Sequence, residues 1–241
     1  MDLQRFEQEV INAQESQKWA ATAFPALMRK VYVWMTLALV ITGVTAYYVA
    51  NSPAILQLIL TNKFLFFGLI IAELALVWGV SAAINRLSLT TATLLFVLYS
   101  VLNGVTFSFI FLAYTAESIT SVFLITTGTF GVTALFGYFT KSDLSSMGRI
   151  LFMALIGLII ATIVNIFMKS SGLAMILNYL GVLIFVGLTA WDTQKIKKML
   201  LEAPDAGETA QKVALMGALT LYLDFINLFI HLLRILGNSR N

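Results

Sequence analysis

The residues of this chain that could do chemistry sit in a stretch otherwise built for hydrocarbon. The segment LTLYLDFINLFIHLLRI, residues 219–235, carries an acid, an amide, an imidazole and a guanidinium: Asp224, Asn227, His231 and Arg234. His231 is the one histidine in the protein. At about 100° per residue these four positions fall within a sector of roughly 80° of a helix. Gly217 and Thr220 extend the same stripe, and the other faces are Leu, Phe, Ile and Tyr. A charge at the middle of a membrane span costs about 2.5–3.5 kcal/mol on insertion scales. The stripe must therefore face protein or water, and its helix is expected at the centre of a bundle.

Partners for the stripe lie in other apolar stretches. Asp192 ends one of them, just before Lys195, Lys197 and Lys198, and Glu73 sits inside another with Arg86 at its end. Arg86 and Asp192 are expected at one depth and able to pair; in the plainer reading Asp192 is an ion partner for Lys195. Glu73 and Arg234 are a further possible pair. Two carboxylates brought together out of water cannot both ionise freely; they share a proton and titrate as a unit. Protonating the pair loosens its hold on a neighbouring arginine, which makes a pH-operated latch. Ionised, the same oxygens are hard ligands of the kind calcium prefers, so Asp192 and Asp224 are candidates for transient calcium contact. Each group also has a plainer reading: Arg86 as a loop cation, Asp192 as an interfacial cap, and Glu73, Asn227 and His231 as buried hydrogen-bonding groups. Asp224 is the hardest to account for as structure alone.

The elements that hold these residues follow from composition. Of 241 residues, 59% are hydrophobic and 11% charged, against about 25% charged in a soluble domain. The mean hydropathy is +0.89. This is an all-α polytopic membrane protein, with the lipid bilayer as its first partner. No soluble basic domain remains for nucleic acid. With no cysteine, disulfides, Fe–S clusters and thiol catalysis are excluded. A single histidine excludes an HExxH zinc site.

About 20 apolar residues cross a ~30 Å hydrocarbon core. Seven stretches qualify: 31–50, 64–84, 89–113, 118–139, 150–168, 173–194 and 212–236. Residues 1–30 read as a polar cytoplasmic tail, since Asp2, Glu7, Glu9 and Glu15 precede any apolar run, unlike a signal peptide. Residues 31–237 form the seven-helix domain, with 195–211 as its longest loop. An N-terminus in the cytoplasm puts Arg5, Lys18, Arg29, Lys30, Arg86, Lys141, Arg149, Lys195, Lys197, Lys198 and Lys212 inside, and only Lys63, Lys169, Arg234 and Arg240 toward the outside. The small residues of Gly128-Thr129-Phe130-Gly131 are expected to let helices approach closely.

Three stretches carry a wider resemblance: ITTGTFGVTALFGYFTKSDLSSMGRILFMALIGLI (125–159), WDTQKIK (191–197) and LTLYLDFINLFIHLLRILG (219–237). Through them the chain resembles the Bax inhibitor-1, or transmembrane BAX inhibitor motif, family and its bacterial YccA-like branch, over nearly all of residues 20–237. The resemblance implies six helices enclosing a seventh and a pH-sensitive calcium leak of the bacterial inner membrane. It also implies gating roles for Asp192 and Asp224 and, through a short insertion in the second span, for Arg86. Where the family has tyrosine before the first aspartate this chain has Trp191. Bacterial members are linked to restraint of a membrane-bound AAA protease, which gives the alternative function: a non-conducting regulator that binds such a protease. No cofactor is implied beyond calcium as a permeant ion, and no catalysis. An aspartyl intramembrane protease would show GxGD where this chain reads YLDF, and its PAL motif would follow both aspartates instead of standing at Pro25-Ala26-Leu27. A retinal protein would need a lysine within the last span.

Overall fold

The computed structural model describes residues 3–203 and 206–240, with residues 3–21 as helical backbone only. Asp2, and Pro204 and Asp205 of the last loop, fall outside the described residues. The order is α1 Leu3–Ala50, α2 Pro53–Thr61, α3 Lys63–Ala83, α4 Leu89–Ala113, α5 Ala116–Phe139, α6 Ser145–Met168, α7 Ser171–Leu201 and α8 Glu208–Leu236. All but α2 are long and apolar enough to cross a membrane, α1 from Thr22 onward. The shortest of the seven, α3, has 21 residues; at 1.5 Å each it runs about 32 Å, enough for a ~30 Å core.

Helix ends fall where the sequence places polar side chains able to take up unpaired backbone N–H groups. Asn62 accepts from the Leu65 amide, Ser88 from Thr91, Thr115 from Ser118 and Ser170 from Leu173. Pro53 opens α2, a short helix between the first two spans that the hydropathy pattern does not announce. Lys169 ends α6 in the left-handed region at φ 51°.

Two boundaries differ from the sequence reading. The helix of the first span does not start near residue 31: α1 runs unbroken from Leu3, through Pro25, to Ala50. The expected 195–211 loop shrinks to 202–207, because α7 continues to Leu201 and α8 starts at Glu208. The lysine-rich turn of α7 is helical because its side chains find partners on the α5–α6 connection. Lys198 bonds Asp143 at 2.8 Å, and Lys197 donates to the Tyr138 carbonyl at 2.7 Å. Gln194 of the WDTQ stretch holds both ends of that connection, donating to the Ser142 carbonyl at 2.8 Å and accepting from the Leu144 amide at 2.9 Å.

The last helix is the most enclosed. Of its most apolar window 67% is buried, against 6% in α3 and in α6. Its closely packed neighbours are α1, α4, α5 and α7, whereas α3 packs on α4, and α6 on α7. Four spans rather than six make the close wall, and the second and fifth spans stand outside it. The glycines at 128 and 131 are also not close-approach points: a Cβ added to either meets open space.

What fixes α8 within the wall is its aromatic face. Tyr222 is fully buried, its ring edge-on to Phe96 and Tyr99 of α4 at 6.0 Å. Its hydroxyl meets Thr42 Oγ1 of α1 at 2.7 Å, and Thr42 in turn donates to the Ser100 carbonyl at 2.9 Å. Thr42 spends its hydrogen on Ser100, so Tyr222 supplies the hydrogen between the two side chains. Phe225 packs edge-on to Phe123 and Phe130 of α5. Tyr222→Phe is expected to cost only about 0.6–1.7 kcal/mol, as membrane hydrogen bonds do. Tyr222→Ala is expected to cost about 3–5 kcal/mol through the cavity it leaves. Thermal unfolding of the detergent-purified protein measures both.

Candidate functional site

Turning Tyr222 into the wall turns Asp224 the other way, since residues two apart lie about 200° apart on a helix. The side α8 thereby presents is the one the wall leaves open, between α3 and α6. A cavity of about 1020 Å³ lies there, and Thr220, Asp224, Asn227, His231 and Arg234 of α8 all line it. Leu74 and Val77 of α3 and a run from Phe152 to Asn165 of α6 form the facing walls, with Asn178, Trp191, Asp192 and Lys195 of α7 beside the stripe. Among the described residues its ionisable linings are Asp192, Lys195, Asp224, His231 and Arg234. A second, apolar groove of about 980 Å³ between α1 and α5 holds none of the stripe.

Asp192 and Asp224 come together. They are 8% and 5% exposed, and their carboxyl groups are in direct side-chain contact across the tightly packed α7–α8 pair. Oδ2 of Asp224 is buried with no hydrogen-bond donor in reach. A buried carboxylate oxygen without a donor is costly, and the group best placed to supply a hydrogen is the other carboxyl. Lys195, one turn beyond Asp192 on α7, is a cation whose charge acts on Asp192.

Arg86 is elsewhere. It lies exposed in the turn after α3, outside the cavity lining, and no ion pair joins it to Asp192 among the described residues. The reason is local: α3 packs on α4 and not on α7, so its end is not carried to the aspartates. Glu73 and Arg234 are also apart. Glu73 is half-buried and accepts a hydrogen bond from Thr106 of α4, while Arg234 is exposed at the far end of the cavity.

The remaining stripe residues are held individually. Asn227 donates to the Leu223 carbonyl of its own helix at 2.8 Å. His231 Nδ1 donates to Asn178 Oδ1 at 3.2 Å, and its ring stacks on Phe185 at 5.8 Å between centroids. That stack requires glycine at 181, where a Cβ would come within 2.5 Å of the imidazole. Asn178 is legible in the sequence as a polar group inside an apolar span; Phe185, seven residues further along the same face of α7, carries no such signal.

No group of three or more His, Cys, Asp or Glu gathers for a metal among the described residues. Calcium takes 6–8 oxygen ligands, so two carboxylates suit an ion in passage that keeps most of its water, and not a resident metal.

A seven-span membrane protein that buries two aspartates side by side against a lateral cavity is the class that fold and site define. Over residues 25–241 the chain matches the family described as "Inhibitor of apoptosis-promoting Bax1", and it belongs to that family. It is 54% identical over 215 residues to the inner membrane protein YbhL of Escherichia coli K12, spanning 88% of this chain and 92% of that one. An uncharacterized protein of Borreliella burgdorferi is 46% identical over 214 residues, with 89% and 92% of the two chains covered. Protein RP147 of Rickettsia prowazekii is 45% identical over 216 residues, covering 89% and 90%.

One further carboxyl, Asp143, serves as a contrast. It is fully exposed, and hydrogen bonds from Lys198 and Ser145 hold it well below the usual carboxylate range. A group depressed in this way gives stability above its unfolded pKa of about 3.9 and loses it only as pH falls toward the folded value. Between about pH 5 and pH 8 its charge is therefore constant. Asp143→Asn is expected to leave the shape of any pH response in that window unchanged, read as thermal stability against pH. The contribution of the exposed pair itself is small.

Proposed function

We propose that the chain is a pH-sensitive calcium leak channel of the bacterial inner membrane, gated by the Asp192–Asp224 pair and not an enzyme. The observation that carries this reading is the contact between two buried carboxyls from different spans at the wall of a cavity. The placement in an inner membrane rests on the name of the Escherichia coli relative and on the seven apolar helices. The cytoplasmic N-terminus rests on the lysine and arginine distribution.

The chemistry is that of a shared proton. With both groups ionised, the pair carries a double negative charge against apolar walls, attracts a cation and repels itself. Taking up a proton removes the repulsion and weakens the hold on any neighbouring positive charge. Acidification thus biases the α7–α8 contact between two arrangements, a local charge event with a global readout. Of the other walls, α6 is packed on α7 and α3 only on α4 and α2, so α3 is the element with most freedom to respond. The residue positioned to feel the change is Lys195; Arg86 would have to travel to take part.

Purified protein in liposomes loaded with a calcium-sensitive dye tests the reading. Acidification from about pH 8 to pH 6 is expected to raise flux in the native protein, because a coupled carboxyl pair takes up its proton as a unit. Asp192→Asn and Asp224→Asn are each expected to flatten that response. Flux and pH response equal to native in both variants would overturn the site assignment. No flux above protein-free liposomes at any pH would overturn the channel reading in favour of a non-conducting regulator of a membrane protease.

A further inference from the structure

The three lysines of the 195–198 turn have three different surroundings. Lys198 is paired with Asp143. Lys197 is bonded to the Tyr138 carbonyl and lies over the Tyr138 ring at 5.0 Å. Lys195 alone of the three lines the cavity. Its ammonium rests 5.0 Å above the Trp191 ring, and its charge acts on Asp192. It makes no ion pair within 4 Å among the described residues. Residues three apart on a helix are neighbours, so a change of side-chain rotamer suffices to carry the ammonium from the indole toward the Asp192 carboxyl.

The perch is itself built. Trp191 packs flat on the backbone of α6 at Gly148, where a Cβ would come within 2.2 Å of the indole. Any residue larger than glycine there would displace the ring. The indole face then holds a cation electrostatically while leaving it hydrated on its outer side. The cavity thus has a positive charge at its α7 end, carried by one helix and supported by another, beside the two carboxyls that line it among the described residues.

We infer that Lys195, seated on Trp191, is a tethered plug: a cation built into the chain that competes with a permeating calcium ion for the Asp192–Asp224 pair. This rests on the channel reading above for the identity of the ion. The competition itself is a binding property and is separable from flux. A calcium ion reaching the carboxyls must work against the ammonium's charge, and removing that charge lets it bind more tightly. Replacement of Lys195 by arginine keeps both the charge and the aromatic perch.

Equilibrium binding of radioactive calcium to the full detergent-purified chain tests this. Lys195→Gln and Lys195→Met are expected to tighten binding about tenfold, the scale of one unit charge a few ångströms away in a partly hydrated site. Lys195→Arg is expected to bind as the native chain does. The Asp192→Asn/Asp224→Asn double variant is expected to lose the site in either background. Lys195 is exposed, so its replacement leaves the fold intact, which size-exclusion profiles check. Unchanged or weaker calcium binding in both Lys195→Gln and Lys195→Met would overturn the inference, as would tightening that survives the double aspartate substitution. A liposome assay without flux, combined with tightened binding in Lys195→Gln, would sink the channel reading and leave the competition standing.

Discussion

A helix that carries an aspartate through hydrocarbon has to hide it, and that requirement organises this molecule. The free-energy cost of showing Asp224 to lipid is of the order of what one large packed side chain contributes. The chain meets it by giving α8 two opposed faces. One face is aromatic and locked into α1, α4 and α5 through Tyr222 and Phe225; the other is polar and turned to a cavity. Because Tyr222 and Asp224 are two residues apart, fixing the first fixes the second.

The same requirement explains the uneven packing of the bundle. α1, α4, α5 and α7 close on α8, while α3 and α6 stand off it and form the far walls of the cavity. Their exposed surfaces, such as Ile71, Trp78, Ile160 and Phe167, suit hydrocarbon, and they contribute little to the core. Helices with few buried contacts are those that open first. The polar face of α8 is thus screened across a cavity by helices that do not pack closely on it.

At the α7 end, charge is distributed with economy. Lys198 and Gln194 hold the α5–α6 connection through Asp143, Ser142 and Leu144, and Lys197 bonds the Tyr138 carbonyl at the end of α5. Lys195 is left to the cavity. A run of basic residues that a topology rule counts only as inside charge therefore divides into structural contacts and one group next to the aspartates. The indole of Trp191 gives that group a broad aromatic surface to rest on.

Much of this was legible in the residues themselves. Seven spans follow from hydropathy because length and apolar character are local properties. The polar face of α8 follows from helical periodicity, because 3.6 residues per turn is fixed by the backbone. Asp192 and Asp224 stood out because unpaired acids in apolar runs are expensive. What the sequence did not decide was which elements meet. Arg86 and Asp192 share a depth, yet their helices pack on different neighbours, so the pairing read from depth does not form. Glu73 found Thr106 on α4 instead of Arg234 on α8. Four helices, not six, close on the last one, and the glycines that permit close approach to the site are 148 and 181, not 128 and 131. Depth and periodicity are one-dimensional quantities carried by each segment. Lateral order around the bundle is set by packing between segments, and only the tertiary structure holds it.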